Sequence, residues 1–248
     1  MKSLVLLLLV GVAFAQMDVS IIGGNECEPH SKPWQALVIS SVGQCGGSLI
    51  NENWVVSAAH CYRSSDGDIE VSLGKHNIAI HEHTEQIILS EHAIPHPKYN
   101  GHTLDNDIML IKLSEPATLN EYVQPVGLPT CCPPAGTMCN ISGWGMTNIT
   151  TKEVPDKLQC LEVSTVSDRD CDNAYPGIIT ESMFCAGYLE GGKGACYGDS
   201  GSGLVCNGVL QGIVSAGGIC VGENELGIYT KVCIFNTWIT ETINTYQN

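Results

Sequence analysis

The chain is poor in basic charge. Of its 248 residues only 11 are Lys or Arg, against 26 Asp or Glu, for a formal net charge of −15. Nucleic-acid binding draws on a basic face, so that function class is excluded. The acidic balance serves solubility and does not bear on fold. Long apolar runs are also missing. The one at 4–12 is too short to span a bilayer. With Lys2 before it and Ala13-Phe14-Ala15 after it, residues 1–15 read as a secretory signal. The remainder is expected to be soluble and secreted, with no membrane partner. Metal-ligand spacing is the third absence. His76, His81, His83, His92, His96 and His102 follow no zinc pattern and read as solvated loop residues.

What the chain does have is cysteine, 13 in all, and glycine, 27 in all. That much cysteine points to an oxidising compartment. Short apolar segments recur at 34–39, 47–50, 54–57, 69–73, 86–89 and 108–113, then at 140–144, 158–166, 203–214 and 227–232. Many short strands separated by Gly and Pro indicate an all-β barrel or sandwich. The tail at 234–246 sets Phe235, Trp238, Ile239 and Ile243 at near-helical spacing. A terminal helix packed on the second half of the chain is expected.

Three short motifs carry chemistry. Gly198-Asp199-Ser200-Gly201 reads as a serine exposed on a tight turn. A serine hydroxyl needs a base to become a nucleophile, and the base needs a group to orient it. Ser57-Ala58-Ala59-His60-Cys61 and Asn106-Asp107-Ile108-Met109-Leu110 supply candidates. In the chain order His, Asp, Ser, these motifs resemble the trypsin/chymotrypsin family of serine proteases, most of all vertebrate trypsinogens. The likeness runs from Ile21-Ile22-Gly23-Gly24 to the C-terminus.

The resemblance implies two antiparallel six-stranded β-barrels, about 21–125 and 126–232, followed by the helix. It implies a catalytic triad of His60, Asp107 and Ser200, with the N–H groups of Gly198 and Ser200 as oxyanion hole. Residues 16–20 become a propeptide, and a cut before Ile21 frees an amine to pair with Asp199. Disulfides are implied between Cys27 and Cys160, Cys45 and Cys61, Cys132 and Cys233, Cys139 and Cys206, Cys171 and Cys185, and Cys196 and Cys220. Cys131 is left over, as a free thiol, an alternative to Cys132, or a bridge to another chain. Partners implied are protein or peptide substrates and protease inhibitors, for a monomeric enzyme without cofactor. In the calcium loop of the family, here 75–86, Glu82 and Glu85 match acidic positions, but Lys75 stands where a glutamate ligand is expected. No tight calcium site is expected.

Several residues depart from the family pattern. Ser20 offers a trypsin-like activator no basic residue. Gly194 and Ala195 replace the aspartate-bearing floor of the primary pocket, whose walls are matched by Gly217 and Gly227. A neutral pocket without Lys/Arg preference follows. Ile219 is expected to narrow its rim. Ser202 replaces a glycine, Ala216 a tryptophan and Leu226 a proline, which points to a side chain where packing or a positive φ calls for glycine, a lost channel wall and a looser loop. None removes a reacting group. They motivate an expectation of reduced activity, and a rival reading as a non-catalytic secreted homologue or permanent zymogen. Asn140 and Asn148 begin glycosylation sequons, with Asn148 the more accessible.

Overall fold

The computed structural model describes residues 21–63, 67–148, 150–217 and 225–246. A short strand β1 (Asn25–Glu26) precedes a closed barrel of β2 (Gln35–Ser40), β3 (Gly43–Asn51), β4 (Trp54–Ser57), β5 (Glu70–Leu73), β6 (Gln86–Pro95) and β7 (Met109–Leu113). Its strands run antiparallel in the order β2-β3-β4-β7-β6-β5. The second barrel is built from β8 (Met138–Gly143), β9 (Gln159–Thr165), β10 (Met183–Gly187), β11 (Gly203–Cys206), β12 (Val209–Gly217) and β13 (Gly227–Lys231). Its order is β9-β10-β13-β12-β11-β8, and pairing of β8 with β9 closes it. A helix α1 (Asp168–Ala174) lies between β9 and β10, and α2 (Asn236–Thr245) ends the fold.

Closure suits these strands, because it leaves no unpaired edge and gives each one an inward face. In β7, Met109, Leu110, Ile111 and Leu113 are all buried. The segment 203–214, read as one strand, is a hairpin. It breaks at Asn207-Gly208, with φ of 51° and 78°. Two successive positive φ angles make the tight turn whose twist matches paired strands, and Asn-Gly adopts them at little strain.

The two ends of the chain cross over. β1 pairs with β9 of the second barrel, and Ile21, grouped by sequence with the first barrel, is fully buried in the second barrel's cluster with Ile141, Val163 and Tyr229. The C-terminal helix, expected on the second barrel, packs on the first. Tyr246 lies 6.3 Å from the Trp54 ring and 4.9 Å from His92, and Trp238 lies 4.9 Å from His96. Helical spacing reveals an apolar face, not the surface that covers it. Phe235 and Ile239 join a cluster made mostly of first-barrel residues, which also takes in Val205, Leu210 and Ile213 of the second. Among the described residues five bridges form: Cys27–Cys160, Cys45–Cys61, Cys132–Cys233, Cys139–Cys206 and Cys171–Cys185. Each typically stabilises by roughly 2–4 kcal/mol. The sixth implied pair involves Cys220, which lies outside the described residues, as do the signal, the propeptide and Ile219. Cys131 is an exposed free thiol. Asn140 is half-buried within β8, and Asn148 is exposed.

Candidate active site

The seam between the barrels gathers the motif residues. His60 sits in a short 3-10 turn, Ala59–Cys61, directly after β4 and fastened by the Cys45–Cys61 bridge. Asp107, just before β7, is fully buried. A buried carboxylate is tolerated only when donors surround it. Here the Asp107 Oδ1 accepts the His60 backbone N–H at 2.9 Å, and Oδ2 lies 2.7 Å from His60 Nδ1. Oδ2 also accepts the Ser215 hydroxyl at 2.5 Å, and the Asp107 carbonyl accepts Thr230 Oγ1 at 2.7 Å. Strands β12 and β13 of the second barrel thus hold an acid of the first. A carboxylate on Nδ1 selects the tautomer with its proton there and leaves Nε2 as an acceptor.

The Ser200 turn is tied to the first barrel. Its carbonyl accepts the Gly46 N–H at 2.7 Å and lies 3.7 Å from the Cys61 sulfur, next in sequence to His60. Gly201 has φ +83°, and Ser57 Oγ and the Gly46 carbonyl occupy the space a Cβ would need. Gly198 has φ +98°, with Gly145 Cα 3.1 Å from where a Cβ would stand. Among the described residues, the N–H groups of Gly198 and Ser200 donate to no protein acceptor, and no hydrogen bond joins Ser200 Oγ to His60. Asp199 is fully buried and accepts the N–H groups of Gly145 at 2.8 Å and Cys196 at 2.9 Å. Burial outweighs those two bonds and pushes its carboxyl up to about 6.

Ala195, Cys196, Tyr197, Ser200, Val214, Ser215, Ala216 and Gly217 line a cleft of about 180 Å³. Gly194 lies off that lining, with its N–H bonded to the Ile22 carbonyl at 3.0 Å. Gly227 lies against Tyr229, whose hydroxyl would be 2.7 Å from any Cβ. Beyond Ala216 opens a second cavity of about 600 Å³, bordered by Leu104, Ile178, Ile179, Met183 and Ile228. Ala216 borders both spaces.

The departures fit differently from the strain read in the sequence. Ser202 has no positive φ; that demand falls on Gly201. Its buried hydroxyl lies between Gly46 and Gly143 and accepts Gln35 Nε2 at 3.4 Å. Leu226 is 1% exposed, packed with Met183 and Ile228, and its carbonyl accepts the Tyr175 hydroxyl at 2.5 Å, so that end of the loop is anchored. Ser215 and Thr230 were missed by sequence reasoning. They lie 108 and 123 residues from Asp107, and no local motif signals the pairing. Asp105 was missed too. Its Oδ1 accepts Thr180 and Ser182 hydroxyls, each at 2.7 Å, pinning the loop before Asp107 to the second barrel. Burial alone raises that carboxyl; these bonds and the Asn106 backbone bring it below its ordinary value.

Two closed antiparallel barrels, with a histidine–aspartate pair and a serine turn meeting at their seam, define a double-barrel peptidase scaffold. The trypsin family model matches residues 21–239. The chain is 58% identical to Trypsin-1 of Salmo salar over 246 residues, covering 99% of this chain and 100% of that one. It is 53% identical to Trypsin-10 of Gadus morhua over 246 residues, covering 99% and 100%. It is 54% identical to Serine protease 1 of Rattus norvegicus over 246 residues, covering 98% and 99%. The chain belongs to the trypsin family of serine endopeptidases, which sets protein or peptide as its substrate class.

Proposed function

We propose that the protein is a secreted endopeptidase that works through an acyl-enzyme and prefers an uncharged side chain in its primary pocket. Ser200 Oγ attacks the scissile carbonyl carbon while His60 Nε2 takes its proton. The resulting oxyanion accepts the N–H groups of Gly198 and Ser200, each worth about 2.7–4 kcal/mol of barrier. His60 then gives the proton to the leaving amine, and water repeats the sequence on the ester. Asp107 holds the ring and stabilises its charged form. The observation that carries this reading is the buried Asp107 carboxylate bonded to His60 and to Ser215 across the seam. The pocket preference is supported by the described lining, which contains no carboxylate. A cation brought there would be desolvated without a partner.

The test uses protein made to begin at Ile21 and a fluorophosphonate probe. Labelling of Ser200 that vanishes in His60→Ala supports the triad, and a peptide library then maps the pocket. A folded, correctly cut protein that takes no label overturns the catalytic reading in favour of a binding role.

The cut itself has a thermodynamic signature. Asp199 rises from an ordinary 3.8 to about 6 while its partners are backbone N–H groups alone. The native state therefore holds a proton that the unfolded state has lost between those values. Stability falls as pH rises through that window, by about 3 kcal/mol in all above pH 7. An Ile21 amine beside the carboxylate removes this loss. Denaturant unfolding at pH 4 and pH 7 should show the fall in the uncut chain and a smaller one in the cut chain. Equal slopes in the two forms would exclude the pair.

Ala216 bears on affinity. Ala216→Trp is expected to fill part of the neighbouring cavity and restore a flat apolar wall. An added aromatic contact of this size is worth about 1.5–3 kcal/mol. The expected gain is about tenfold or more in kcat/KM for extended peptides, carried by KM. No change, or a loss through kcat, would show that the cavity is not part of the substrate path.

A further inference from the structure

Lys75 opens the loop at 75–85 that leads from β5 to β6. Its side chain is only 10% exposed, although nothing in the catalytic reading uses it. Its ammonium donates to the Ile80 carbonyl at 3.0 Å and pairs with Glu85 Oε2. The Glu85 side chain is 4% exposed, and its other carboxylate oxygen pairs with His81 Nδ1. Glu82 is committed elsewhere: its Oε2 accepts the N–H groups of His76 at 2.6 Å and Asn77 at 3.0 Å. Two oxygens of this loop, one from Glu85 and one from Ile80, thus converge on a positive charge that the chain already carries. No group of three or more His, Cys, Asp or Glu side chains among the described residues is arranged to hold a metal ion.

The calcium that the family resemblance implies does not fit this donor set. Calcium takes six to eight oxygens, several of them carboxylate. Here an ammonium stands among the oxygens, one carboxylate is engaged by that ammonium and by the His81 ring, and a second is turned to backbone N–H groups. A dication entering would face the lysine charge at close range in a poorly solvated space.

We infer that the Lys75 ammonium is the loop's resident cation. It gathers Glu85 and the Ile80 carbonyl as a metal ion would, and it keeps a divalent ion out. The loop is therefore closed from the moment the chain folds, and its integrity does not follow the calcium concentration outside. This inference is independent of the catalytic reading, since it concerns stability and loop access alone.

The test uses the full chain carrying Ser200→Ala, so that self-cleavage cannot blur the result. Thermal unfolding and limited proteolysis of the loop are followed in millimolar calcium and in excess chelator, with calorimetric titration of calcium. The chain with Lys75 intact is expected to show the same Tm and the same loop cleavage in both, with no saturable heat. Lys75→Met keeps the stem but strands the buried Glu85. It should lose roughly 10 °C in Tm and open the loop to cleavage, with no recovery in calcium. Lys75→Glu should lose at least as much in chelator and regain it in calcium. A calcium-dependent Tm with Lys75 present overturns the inference without any variant having to fold. Lys75→Met as stable and as resistant as its parent overturns the role of the ammonium. Lys75→Glu that gains no calcium response overturns the claim that lysine keeps the ion out.

Discussion

Ser200→Ala is expected to lower kcat by about six orders of magnitude and leave the fold intact. The size follows from the geometry of the seam. Asp107 is anchored by four donor groups from both barrels, so the His60 ring is set before any substrate arrives. The turn that carries Ser200 is fixed independently, by Gly46 on one side and by the Gly201 bond to the Val214 carbonyl at 2.8 Å on the other. Deleting one oxygen atom disturbs none of these contacts. The variant should bind peptide with nearly unchanged affinity, retain the parent Tm and take no fluorophosphonate. What remains is the contribution of the oxyanion-hole donors and of binding, typically 10³- to 10⁴-fold over water. Residual turnover within tenfold of the parent would mean that another group is the nucleophile.

Gly194→Asp is expected to raise kcat/KM for substrates with Lys or Arg before the scissile bond by at least about a hundredfold. On the proposed reading the parent pocket presents Ala195, Val214, Ala216 and Gly217 to that side chain, and an ammonium entering it would trade water for apolar walls. By the family resemblance a carboxylate at 194, next to the lining residue Ala195, would supply a counter-charge at the pocket floor. The backbone raises no objection: the Gly194 φ is not positive, and its N–H bond to Ile22 is independent of the side chain. The readout is the ratio of kcat/KM for matched amides bearing Arg or Phe at that position. The parent should favour Phe, and the variant should shift toward Arg. A parent that already cleaves Arg substrates as well as Phe substrates would end the neutral-pocket proposal. Asp199 lies close in sequence and is fully buried, so the variant's stability near pH 7 should be measured beside its kinetics.

Much of this molecule could be read before any coordinates. The two-barrel fold and five bridges followed from a resemblance carried by short motifs, and each motif marks a place where backbone geometry admits few residues. Gly201 is such a place, since two first-barrel groups occupy the space of its missing Cβ. Other features had local signals that went unread. Ser167 accepts the Asp170 N–H at the start of α1, the ordinary signature of a helix N-terminus, and Asn207-Gly208 announces a hairpin. The rest had no local signal. Which barrel receives the terminal helix, and which hydroxyl reaches Asp107, depend on surfaces assembled from distant segments. Strain at Ser202 was the reverse case: a substitution pattern suggested it, and the backbone places the left-handed angle one residue earlier.

The exchange of termini gives the molecule its coherence. The first strand belongs to the far barrel, held there by Cys27–Cys160, while the last helix folds back across the near one. Each half therefore wears the other's end as a strap. Prising the halves apart would mean unbuckling both straps at once, which favours a single all-or-none melting over stepwise loss. The proposed catalytic groups lie along that seam, so the device that keeps the halves together also keeps them in register. Cleaving the connector at 114–137 would leave a two-chain molecule still buckled shut.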